Sequence, residues 1–100
     1  MHELLETIHA SALRPIFGHL IRGRQYAVVQ AFRDYDADMH PIGEIWTFLG
    51  SSFLPYEDGL SLFVRCGNAD FQIRLQWRDD AQGEIISNLG TYVLEFTNAS

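Results

Sequence analysis

The sequence predicts an α+β domain: a small curled antiparallel sheet of four to five strands, an SH3-like partial barrel, between an N-terminal helical segment and a C-terminal helix. Three observations lead there. Apolar residues fall at helical spacing in the first 22 positions, the period shortens to two from Gln25 onward, and a helical period returns near the C-terminus.

Over 1–22, Leu4, Leu5, Ile8 and Ala12 share a helical face, with Glu3, Glu6 and His9 on the others. Pro15 interrupts the run, Ile16, Phe17, Leu20 and Ile21 suggest a second short helix, and Gly23 stops it. The sheet is expected over 25–77. Its first strand places Tyr26, Val28 and Phe32 on one side and Ala27, Val29 and Ala31 on the other. The second runs over 44–49 and ends at Gly50, and the third runs over 60–66. In the fourth, Phe71, Ile73, Leu75 and Trp77 alternate with Gln72, Arg74, Gln76 and Arg78, a pattern with one dry and one wet face. Gly67-Asn68-Ala69-Asp70 is short enough to make the last two strands a hairpin. Asp79 and Gln82 then resemble a helix-opening pair. Ile85, Ile86, Leu89, Tyr92, Val93 and Phe96 predict a helix over 80–95, or a helix released by Gly90 into a short strand.

Length and charge narrow the function. A chain of 100 residues without repeats or linkers is expected to be one domain. Thirteen acidic residues against seven basic ones, all arginine, give a net charge of -6. That balance argues against nucleic acid and against an anionic membrane, and it suits a basic protein or peptide partner. Cys66 is the sole cysteine, so no intrachain disulfide forms. It closes an apolar strand and reads as a packing residue. With an acidic start and no apolar run of the roughly 18 residues a membrane span needs, the expected location is the cytoplasm.

The stretches Phe32-Arg33-Asp34-Tyr35-Asp36, Gly43-Glu44-Ile45-Trp46-Thr47-Phe48-Leu49-Gly50 and Pro55-Tyr56-Glu57-Asp58-Gly59-Leu60-Ser61-Leu62-Phe63, with Ile73-Arg74-Leu75-Gln76-Trp77-Arg78, resemble a family of small bacterial proteins known only as a domain of unknown function. The resemblance spans about residues 20 to 95. It implies a compact bacterial domain and carries over no catalytic residues. A glycine often follows the Asp-Tyr-Asp stretch in that family, where this chain has Ala37.

Asp34, Asp36 and Asp38 alternate ahead of His40 and Glu44. Set against a calcium loop they fail at position 6, which is Met39, and at position 12, which is Ile45. They read instead as a solvated turn whose aspartates bond to the backbone. His40 and Glu44 would make an acid/base pair, yet serines 51, 52 and 61 lack a nucleophile-elbow pattern. His2, Glu6 and His9 fall on one helical face too near the terminus to form a firm site. No phosphate-cradling loop appears. The expected binding residues are Tyr35, Asp36, Trp46, Phe53, Tyr56, Glu57 and Asp58, an acidic–aromatic patch on a non-enzymatic module, with no catalytic residues, metal or cofactor assigned. Two alternatives stand beside it: a metal-dependent hydrolase or metal-binding protein using Asp34, Asp36, His40 and Glu44, and a structural subunit of a homodimer.

Overall fold

Where the apolar runs are short and punctuated by glycine, the chain settles into strands. The computed structural model describes residues 13–54, 59–78 and 82–96. β1 (Ile16–Phe17) and β2 (Leu20–Ile21) form a tight hairpin, with Ile16 opposite Ile21 and Phe17 opposite Leu20. Gly18 opens its turn at φ 58, a left-handed value that costs glycine little. The helical segment expected over 1–22 is therefore corrected: from residue 13 onward this stretch is strand and turn. Residues 1–12, including His2, Glu6 and His9, lie outside the described residues.

β3 (Gln25–Val28) is followed by a second small hairpin of β4 (Phe32–Arg33) and β5 (Met39–His40). Three long strands come next, β6 (Ile45–Leu54), β7 (Gly59–Cys66) and β8 (Ala69–Gln76). Two short helices, α1 (Gly83–Ser87) and α2 (Leu89–Tyr92), lead into β9 (Val93–Glu95). The five strands of the main sheet are antiparallel in the order β8-β7-β6-β3-β9.

The α+β, SH3-like partial barrel is thus corrected to a fold that is mostly sheet. No ladder joins β8 to β9, so the sheet stays open, and the described helices are confined to the C-terminal part. The helix expected over 80–95 is two single turns and a strand. Helix propagation needs a run of favourable residues, and Gly83 and Gly90 weaken this one at both ends. Gln82 forms no side-chain cap; its Oε1 accepts the Gln76 N–H at 2.9 Å instead. Asp79 lies outside the described residues.

One face of the sheet carries the core. Cross-strand pairs Leu60–Leu75 and Leu62–Ile73 are buried together with Tyr26, Val28, Trp46, Phe48, Val64 and Val93. Leu20 and Phe32 from the small hairpins, and Ile86, Leu89 and Tyr92 from the helices, complete it. Each such side chain contributes roughly 1.5–3 kcal/mol of burial. The expected strand end at Gly50 is overturned. The ladder shifts between Phe48 and Gly50, leaving Leu49 bulged, and β6 continues to Leu54. Arg22 compensates the bulge, donating through Nε to the Leu49 carbonyl at 2.7 Å and through Nη2 to the Leu13 carbonyl at 3.0 Å.

Candidate functional site

The acidic turn between β4 and β5 is organised by a buried carboxylate. Asp34 is only 4% exposed, so its charge must be met by protein donors. Its Oδ1 accepts the backbone N–H of Asp36 at 2.9 Å and of Asp38 at 3.0 Å. Its Oδ2 lies 2.8 Å from Nε2 of His40. The other imidazole nitrogen, Nδ1, lies 2.7 Å from Oε2 of Glu44, which also accepts the Trp46 indole N–H at 3.2 Å. Phe32 stacks on the imidazole, with centroids 4.8 Å apart and planes 23° from parallel. The turn expected to be solvated is thus built around a buried aspartate.

The charged imidazolium alone can donate to both carboxylates at once. Burial by itself would push the His40 pKa down, but the hydrogen bonds and charges of Asp34 and Glu44 outweigh it and hold the value above the ordinary 6.5. His40 therefore acts as a clasp between the β4–β5 hairpin and the start of β6. The geometry brings Asp34, His40 and Glu44 together as partners of one another. Among the described residues no group of three or more His, Cys, Asp or Glu side chains is placed to hold a metal ion.

Beside the clasp lies a cavity of about 290 Å³. The hairpin supplies Asp34, Asp38, Met39 and His40 to its wall, and Glu44 and Trp46 follow from the next strand. Val64, Cys66, Phe71 and Ile73 supply the sheet side. Met39, Phe71 and Cys66 are exposed, which opens the cavity to solvent. Cys66, expected as a packing residue, is thereby corrected to a surface position. Among the described residues, neither the Asp38 carboxylate nor Oε1 of Glu44 accepts a hydrogen bond.

The expected binding residues divide. Tyr35 and Asp36 are exposed on the acidic turn, with the Tyr35 N–H donating to the Arg74 carbonyl at 2.7 Å. Arg74 donates to Asp36 Oδ1 at 3.0 Å, and its guanidinium lies 5.4 Å from the Tyr35 ring centroid. Asp36 is therefore held by an arginine and stands apart from the Asp34–His40–Glu44 group. Trp46 is buried and lines the cavity. Phe53 is half-exposed and meets Trp77 edge to face, 6.0 Å between centroids. Tyr56, Glu57 and Asp58 lie outside the described residues. Sequence reasoning missed Met39 and Phe71. An apolar residue at the exposed end of each strand was the available signal.

Fold and site together define a class: a small open antiparallel sheet with a histidine-clasped acidic turn beside an acidic–aromatic cavity. The chain belongs to the family described as Domain of unknown function (DUF3601), whose model matches residues 16–97. Among solved structures it is similar to an integron cassette protein from the mobile metagenome of Vibrio cholerae. The two share 38% identity and a TM-score of 0.87, over 89% of this chain and 99% of that one. No curated protein matches the chain.

Proposed function

We propose that the chain is a non-enzymatic binding module that offers an acidic–aromatic surface to a basic protein or peptide. The observation that carries this reading is the pairing of unengaged carboxylate oxygens, from Asp38 and Glu44, with apolar walls open to solvent. Tyr35 and Asp36 extend the same turn. A net charge of -6 adds a field that steers a basic partner inward. The lone exposed thiol of Cys66 suits a reducing cytoplasm. The hydrolase reading draws less support, because both His40 nitrogens are committed to carboxylates and leave no lone pair to accept a substrate proton.

The test is affinity capture from cell extract with the native chain and with an Asp36→Lys/Asp38→Lys variant whose melting curve matches it. A basic protein retained by the native chain and lost by the variant supports the reading. Equal recovery on both overturns it. Sedimentation at several concentrations separates this outcome from self-association.

A further inference from the structure

We propose that the cavity beneath the β4–β5 hairpin is an arginine pocket: it takes the guanidinium of one side chain from the basic partner and discriminates against lysine. This deepens the binding-module reading and rests on it for its biological setting.

The charges around the cavity are Asp34, Asp38 and Glu44 against the single imidazolium of His40. Three carboxylates less one cation leave the cavity anionic, and an occupant must bring positive charge. Its hydrogen-bonding needs are equally one-sided. Asp34 is fully used by two backbone amides and His40, whereas Asp38 and Oε1 of Glu44 offer acceptors without donors. These oxygens belong to two carboxylates, so a ligand that engaged both would present several donors. The rest of the wall is mainly apolar and partly aromatic, from Met39, Trp46, Val64 and Phe71, with Gln72 as its one further amide, donating through Nε2 to Ser61 Oγ.

A guanidinium meets all three conditions. It is planar, carries five donors in a fork, stacks on aromatic faces and is weakly hydrated. An ammonium is compact and strongly hydrated, and loses more on entering an apolar-walled cavity. The same turn already holds an arginine in this way: Arg74 lies over the Tyr35 ring and bonds Asp36. The cavity sets carboxylates beside aromatic side chains in the same combination.

The experiment is an amide NMR titration of the full chain with three blocked amino acids: Nα-acetyl-arginine methylamide, the lysine equivalent and the citrulline equivalent. Citrulline keeps the shape and removes the charge. The arginine probe is expected to shift cavity residues such as Met39 and Phe71, saturably and about fivefold more tightly than lysine, with no saturable response to citrulline. Asp38→Asn, which breaks no hydrogen bond within the described chain, should weaken arginine binding by a similar factor. Phe71→Ala, at an exposed position, should weaken it as well. Equal affinity for lysine, a citrulline response matching arginine, or shifts confined to other surfaces would each overturn the pocket. If a basic partner is still captured while the arginine probe fails here, this inference falls and the binding-module reading stands. If the probe binds selectively while capture is unaffected by charge reversal, the converse holds.

Discussion

Ala37 stands at φ 69, left-handed backbone that an alanine adopts at a cost of roughly 1–2 kcal/mol. It follows Asp36 at the point where the Asp34 carboxylate gathers two backbone amides, so the turn cannot relax without losing those bonds. A glycine at this position would remove the strain, because it carries no Cβ to clash in left-handed backbone. Ala37→Gly is expected to raise stability by about 1 kcal/mol, read as a higher urea midpoint; a lower midpoint would show that the turn gains from alanine. His40 sets a pH dependence from the same loop. Its folded pKa lies above the unfolded value of 6.5, so its contribution is complete below that pH and is lost as pH rises through the folded pKa. Denaturation midpoints of the native chain should therefore fall on the alkaline side more than those of His40→Gln. His40→Ala, which strands the buried Asp34 charge, should cost roughly 3 kcal/mol or more. Identical pH profiles for native and His40→Gln would remove the clasp from the account.

At the level of elements, the bulge in β6 binds the N-terminal segment to the sheet. A Cβ on Gly50 would stand 2.6 Å from the Leu13 Cβ and 3.2 Å from the Arg14 carbonyl oxygen. Gly50→Ala is therefore expected to cost about 1–3 kcal/mol, measured by chemical denaturation, through overpacking against a backbone already bridged at Arg14 and Ser51. An unchanged midpoint would mean that Leu13 moves aside freely. The elements also show what was legible. β7 and β8 could be read because their alternation is long and their turn is two residues, Gly67 at φ 64 with Asn68. β1 and β2 could not, because apolar residues at 16, 17, 20 and 21 fit a helical face as well as a hairpin whose turn is Gly18-His19. The bulge hid the length of β6, since a glycine inside a strand reads as its end. In the site, His40 and Glu44 were visible by their spacing, and Asp34 by its place in the acidic run. The sheet side of the cavity was not, because Val64, Phe71 and Ile73 come to it only through the register of β7 with β8.

For the molecule as a whole, the proposed binding mode divides the work: the acidic balance would set approach and the cavity residence. Rim charges act mainly on association rate and are screened within about 8 Å at physiological ionic strength. Binding of a basic partner should therefore slow markedly as salt rises while its dissociation changes little, which stopped-flow measurement at several ionic strengths resolves. A salt-independent association rate would confine recognition to the cavity. Such behaviour fits an open sheet that carries its charged turn at one border, where Tyr35 bonds to the backbone of β8.

The strand order carries a consequence for how the chain reaches this state. β6, β7 and β8 are neighbours in sequence and in space, so they can zip together through short loops. β9 must cross from one border of the sheet to the other and pair with β3, some 65 residues earlier, with Val93 opposite Val28. Long-range closure of that kind carries a larger entropic barrier and tends to come late. The central meander is therefore expected to form first, and the β3–β9 ladder to lose its amide protection first in native-state hydrogen exchange.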